Sequence, residues 1–326
     1  MASAKEISNR IKSIKDTMKI TRAMYMISSI KLRKARKKLE DTEPYFYGLQ
    51  NAIAGILYRF PDVESLFFDN RPKDKVERRK RRGIVVITGD KGMCGAYNHN
   101  AIKRAEELIK ESPKCRLFVV GAVGRNYFAT RGYPLPSDFT YTATNPSIHR
   151  ARNIAETIIE LYKKERLDEV YVIYTRMVNS LVSEVEVEGV LPLKERKFAK
   201  AEILKRKKEA HKAHGHHVDE DLPDVQDGDD KDSALLYGEE MIIHPSADEL
   251  IEKIVYNYVT GFIYGALVES SASEENARMT AMNSATDNAK DILKELSLQF
   301  NKVRQAAITQ EITEVIGGAK ALKTNK

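Results

Sequence analysis

Gly89, Gly92 and Gly95 follow the apolar run GIVVITG within the stretch GDKGMCGAYN, and a glycine-rich turn after a strand is where a backbone can cradle a phosphate. The chemistry is not completed. A nucleoside-triphosphate loop needs GxxxxGK[S/T], and this turn lacks both the trailing lysine and the hydroxyl residue. The G-x-G-x-x-G dinucleotide spacing is absent too, and GAVGRN at 121–126 supplies only two of its glycines. The three glycines therefore read as a structural turn. His211, His214, His216 and His217 are spaced to catch a transition metal, yet no cysteine stands near them, so the tract reads as solvated. His99, His149 and His244 have no carboxylate or nucleophile at interpretable spacing. Cys94 and Cys115 fit neither a metal site nor a disulfide framework and read as buried thiols in a reducing compartment. No Ser/His/Asp, Cys/His or paired-carboxylate arrangement is legible, so no catalytic residue, cofactor or metal is expected.

The elements around this empty chemistry are more telling. From 246 to 316 there is no proline, and glycine occurs only at Gly261 and Gly265. One helix of that span is roughly 105 Å long, far beyond an ordinary globular helix. A second long helical stretch opens the chain, from Ala4 to about Arg59. It carries a 3–4 alternation through Ile7, Ile11, Ile14, Met18, Thr21, Tyr25, Ser28, Leu32, Ala35 and Leu39, a coiled-coil seam with weak points at Thr21 and Ser28. Met24, Met26, Ile27 and Ile30 lie off that seam and suit a helix with more than one neighbour. Pro44 is placed to kink this rod or to start a second helix. In the last helix Ala285, Ala289, Ile292, Leu293, Leu296, Phe300, Val303 and Ala307 form the matching stripe, with a slip near 292–300. A globular domain between the rods returns the chain to its start, so the pair is expected to run antiparallel.

Between the rods the period changes. Apolar strands at 83–89, 116–121, 169–175 and 183–191 alternate with helices near 101–110 and 147–164. That order predicts an α/β, Rossmann-like domain with a partly parallel sheet. The chain divides into an N-terminal coiled-coil helix (1–60), a basic linker or insertion (61–82), the α/β domain (83–193), a charged, histidine-containing insertion (194–232), a possible edge strand (233–245) and a C-terminal coiled-coil helix with its tip (246–326).

Bulk composition agrees. In 326 residues, 42% are hydrophobic, enough for a core, and 31% are charged, as much exposed helix requires. The net charge of +7 favours acidic or anionic partners. The opening residues lack the apolar run of a signal peptide, and no stretch approaches a membrane span. Basic residues crowd the first rod, where they can lie on nucleic acid or face an acidic protein surface. The regular seam favours the protein, because phosphate binding needs no seam. A nucleotide-dependent enzyme would bind ATP or NAD at 89–95, and a nucleic-acid binder would show steep salt dependence; neither behaviour is expected.

The rods also carry recognisable text, KEISNRIKSIKDTMKITRAMYMISSIKLRKA at one end and ENARMTAMNSATDNAKDILKELSLQFNKVRQAAITQEITEVIGGA at the other. With GDKGMCGAYN between them, the chain resembles the gamma subunits of rotary F-type ATP synthases over nearly its whole length. That resemblance implies an antiparallel coiled-coil stalk turning inside a ring of three alpha and three beta subunits. Its α/β domain would stand on the epsilon subunit and the c-subunit ring. Proton or sodium-ion flow would turn the rotor and drive ATP synthesis in the beta subunits, this chain itself hydrolysing no nucleotide. It would be membrane-associated only through the complex, at the cytoplasmic face of a bacterial inner membrane. Arg304, Gln305, Thr309 and Glu311, with Met24 on the other helix, match the family's stretch facing beta, and 319–326 would lie near an apolar collar. The cysteine-free insertion at 194–232 would lie on the outer face of the foot, where it limits reverse rotation or binds another subunit.

Overall fold

The computed structural model describes residues 3–60, 65–68, 81–112, 114–179, 182–194, 198 and 246–324. The basic stretch 71–80, most of the insertion with its histidines, and the expected edge strand at 233–245 lie outside the described residues.

Helix α1 runs Ala4–Arg59 and begins in a reciprocal cap: Glu6 N–H donates to Ser3 Oγ at 3.3 Å, and Ser3 N–H donates to Glu6 Oε2 at 2.9 Å. Pro44 neither ends α1 nor opens a second helix, although its missing N–H removes one rung of the hydrogen-bond ladder. The elements that follow are β1 (Arg82–Ile87), α2 (Tyr97–Glu111), β2 (Cys115–Val120), α3 (Ala122–Thr130), α4 (Ile148–Lys163), β3 (Glu169–Met177), β4 (Ser183–Leu191) and α5 (Ala247–Thr324). Among the described elements only α3 is without a sequence forecast: Gly124 interrupts its nine residues, and its start is Gly121 in a left-handed conformation, φ 94°.

The sheet has the order β2-β1-β3-β4, with β1 parallel to both neighbours and β4 antiparallel to β3. Because β1 is covered on both faces, it is apolar without alternation. Ile84, Val86, Leu117, Val119 and Ile173 pack against α2 and Phe128 on one face. Val85, Ile87, Phe118, Val120 and Val172 meet α4 on the other, together with Ile53 from α1 and Ile251, Val255, Val259 and Ile263 from α5. The two ends of the chain thus complete the core of its middle.

Beyond the sheet the terminal helices pair antiparallel. Thr21 and Thr286 meet hydroxyl to hydroxyl at 2.8 Å, and Lys31 Nζ reaches Glu275 Oε1 at 3.1 Å. Ser28 is buried, and Leu32 and Ala35 close on Ala272. Ile7, Ile11, Ile14, Met18 and Leu39 face inward as the seam requires, as do Leu296, Phe300 and Val303. Three expected seam positions do not. Tyr25 turns outward while Met24 takes the half-buried place between Thr21 and Ser28, and Ile292 and Ala307 are exposed. Ile292 is off-seam because Ala289, Leu293, Leu296, Phe300 and Val303 hold an unbroken 4-3-4-3 spacing; the expected slip there is absent. Ala307 lies past the end of α1. Ile20, Met26, Ile27 and Ile30 leave a second apolar face of α1 open, about opposite the seam.

One hydroxyl donates to the other, and the accepting one gives its own proton to the carbonyl a turn back, Met18 O at 3.1 Å from Thr21 or Met282 O at 2.8 Å from Thr286, so the polar pair is satisfied within the seam. Changing one of them to valine is expected to cost up to about 1 kcal/mol, and changing both to cost less than the two single changes added together. Urea midpoints of the two single variants and the double variant check this.

Candidate functional site

In an open α/β sheet, ligands bind outside the carboxyl ends of the strands, where the strand order reverses. Here that point lies between β1 and β3, and α5 fills it. Thr175 N–H at the end of β3 donates to Ser270 Oγ at 3.2 Å, and Ser273 Oγ donates back to Thr175 O at 3.0 Å. Next to them the glycine turn meets Glu274. A Cβ on Gly89 would stand 2.9 Å from the Glu274 carboxyl, so any side chain there would have to displace that carboxyl from its place beside Arg278. Gly89 N–H is held by Asn98 Oδ1 at 2.7 Å, and Gly89 O accepts from Val123 N–H at 3.1 Å. Gly95 is left-handed at φ 56°, beside Met93 at φ 61°, whereas Gly92 faces open space. Where a nucleotide-binding domain would offer backbone amides to a phosphate, this one meets a carboxylate, which repels it.

Glu274 belongs to a buried charge cluster. Arg278 bonds Glu274 one turn back and reaches Glu275 Oε2 at 3.0 Å, while Lys31 of α1 holds the other Glu275 oxygen. The three α5 side chains are no more than 10% exposed. Burial pushes the Glu274 carboxyl above its ordinary range, with Arg278 pulling the other way. Burial also raises the Cys94 thiol, helped by Glu274, and raises the half-buried Cys115. Neither cysteine has the lowered pKa of a nucleophile. These rod residues carried no signal in the sequence, apart from the small-residue run SSAS at 270–273 in an otherwise bulky helix.

The second feature is the bare end of α5. Extending the register from Thr21 and Thr286 sets Ile7 opposite Phe300 and Ala4 opposite Val303. Past Val303 the helix continues to Thr324, for about 30 Å, with no other described element beside it. Arg304, Gln305, Thr309 and Glu311 all stand exposed on this overhang. So do Ile308, Ile312, Val315 and Ile316, whose spacing makes one apolar stripe. At 100° per residue, Arg304 and Glu311 border that stripe on one side and Thr309 on the other, while Gln305 lies on it. Met24 is not brought to this group: it sits about 30 Å down the rod, near Asn283 in register. Among the described residues there is no His/Cys/Asp/Glu cluster able to hold a metal, and no helix is long and apolar enough to cross a membrane.

A family model described as ATP synthase matches residues 3–322. An ATP synthase gamma chain from Acetivibrio thermocellus is 41% identical over 323 residues, covering 99% of this chain and all of that one. A gamma chain from Caldanaerobacter subterraneus is 41% identical over 97% of this chain and 98% of its own length. One from Acetobacterium woodii, named as sodium ion specific, is 35% identical over 97% and 98%. Among solved structures, a chain of the Tetrahymena thermophila mitochondrial ATP synthase central stalk and c-ring shares the fold, with TM-score 0.53 and 21% identity over 82% of this chain and 99% of that one. Two long helices of unequal length, a sheet whose ligand crevice is filled by one of them, and end-to-end relatives of one kind lead to one conclusion: this chain belongs to the ATP synthase gamma-chain family, the non-catalytic rotor subunits of the central stalk that couple ion flow to catalysis.

Proposed function

We propose that the overhang of α5 is the part of this rotor that works against the catalytic ring. Three alpha and three beta subunits would surround the rod, with the epsilon subunit and the c-subunit ring at the α/β domain. Ring and rod would turn together under proton or sodium-ion flow, at the cytoplasmic face of a bacterial inner membrane and attached to it only through the complex. The observation that carries this reading is the apolar stripe of Ile308, Ile312, Val315 and Ile316, exposed on a helix end with no partner among the described residues. An exposed apolar stripe of that length marks a surface that another protein covers.

The polar residues on and beside the stripe then have a task. Arg304 and Gln305 make hydrogen bonds to beta that form and break as the rod turns, Thr309 and Glu311 extend the contact, and Met24 serves a lower point of the rod. Arg304→Ala and Gln305→Ala in the assembled enzyme are expected to slow ATP turnover by about tenfold each, the effect of losing a contact worth near 1.4 kcal/mol at the rate-limiting angle. Purification from native membranes with alpha, beta and epsilon subunits is the accompanying check. Isolation of the chain alone, or unchanged turnover in both variants, would defeat the assignment.

A further inference from the structure

Gly265 is unexplained by the described residues of its own chain. Glycine inside a helix costs about 1 kcal/mol relative to alanine, and in a long rod it also weakens the ladder. Such a residue is usually kept where another backbone or side chain approaches. A Cβ built on Gly265, however, meets nothing within 4 Å. The space it leaves belongs to a cleft of about 440 Å³ where α1, α5 and β3 meet. Phe46 and Tyr47 of α1, Tyr174 of β3 and Phe262 of α5 wall this cleft, and Gly261 and Gly265 thin its α5 side.

The cleft is acidic. Glu269 lies in it one turn beyond Gly265, half-buried, and among the described residues no hydrogen bond or ion pair closes on its carboxylate. Glu43 lines the same space and accepts from Tyr47 Oη at 3.1 Å. Arg176, the cation that acts on Glu269, is itself paired with Glu186 at 3.0 Å. Burial pushes the Glu269 carboxyl up to about 7, and Glu186 and Glu43 add to the rise against the pull of Arg176. A further positive charge would relieve that strain. Aromatic rings around an acidic floor are the surroundings that hold an arginine or lysine, through cation–π contact and a charge-assisted hydrogen bond.

We infer that this cleft receives a basic side chain, arginine or lysine, presented by a neighbouring subunit of the rotor assembly, with Glu269 as its counter-charge and Gly265 leaving the room. The inference rests on the rotor reading above. Because the cleft stands at the root of the rod, beside the sheet, the occupant fastens the rotor's foot and has no part in the chemistry.

The test places the photo-crosslinking amino acid p-benzoylphenylalanine at position 47, at the cleft wall, in the purified whole complex. Illumination should join this chain to a segment of another subunit with an arginine or lysine among the attached residues. Gly265→Leu, which fills open space and so leaves the fold intact, and Glu269→Gln should each lower the yield of that adduct about tenfold. An intact complex whose adducts stay within this chain, or whose yield ignores both substitutions, overturns the cleft alone. Failure of the unsubstituted chain to purify with any partner overturns the rotor reading beneath it.

Discussion

Arg278→Ala is expected to lower the stability of the chain by about 3–5 kcal/mol, among the largest effects available to a single substitution outside the apolar core. The reason is the company it leaves behind. Glu274 and Glu275 remain on α5 with their side chains 10% exposed or less, and only Lys31 still answers Glu275. Glu274 must then either take a proton or stand as an isolated charge against the glycine turn. The variant should therefore gain stability as the pH is lowered toward the carboxylate range, because protonation removes the unpaired charge. The double change Glu274→Gln with Arg278→Met replaces the pair by neutral side chains of similar volume, and most of the loss should return. Urea unfolding midpoints of the three proteins at pH 5 and 8 make the comparison. Equal midpoints for wild type and Arg278→Ala would mean that the cluster contributes nothing to the fold.

Ile312→Pro is expected to have the opposite signature. Proline inside a helix removes a backbone bond and clashes with the preceding turn, costing about 3 kcal/mol locally. Residue 312 stands on the overhang, where neither α1 nor the sheet touches the helix, so unfolding of the isolated chain should shift by no more than a degree or two in midpoint. In the assembled enzyme the same change kinks the segment that we propose faces the ring, and ATP synthesis should fall at least about tenfold. Synthesis by inverted membrane vesicles and calorimetry of the purified chain read the two halves. A large stability loss with normal synthesis would place the working surface elsewhere.

How far the sequence spoke depended on the kind of regularity. The rods were legible because a 3–4 apolar rhythm running through Ile7, Ile14 and Leu32 has few alternative explanations, and β1 because VVI between glycines marks a strand buried on both faces. The places that failed were single-residue decisions. Tyr25 and Met24 are neighbours of similar size, and only the opposing helix settles which turns inward. Ile292 beside Leu293 is the same problem. The crevice was out of reach for a different reason: a glutamate and an arginine one helical turn apart, as Glu274 and Arg278 are, carry no mark of burial. What buries them is a turn nearly two hundred residues earlier in the chain. Failure of the phosphate-loop patterns at Gly89 did point to a structural turn, but not to the helix that occupies it.

The shared core described above has a consequence for the order of synthesis. As the chain emerges, α1 and the sheet are made first, and one face of the sheet, with Val85, Phe118 and Val172, waits for residues of α5 such as Ile251, Val255 and Val259. Until those arrive, the part of the sheet face that α4 does not cover and a long helical seam stand open together, the state in which multistep folders aggregate. Closing the seam joins positions more than two hundred residues apart, so it is slow as well as late. A nascent chain of this design needs shelter through most of its translation, and a ribosome stalled before residue 250 should leave a product that chaperones hold and proteases remove.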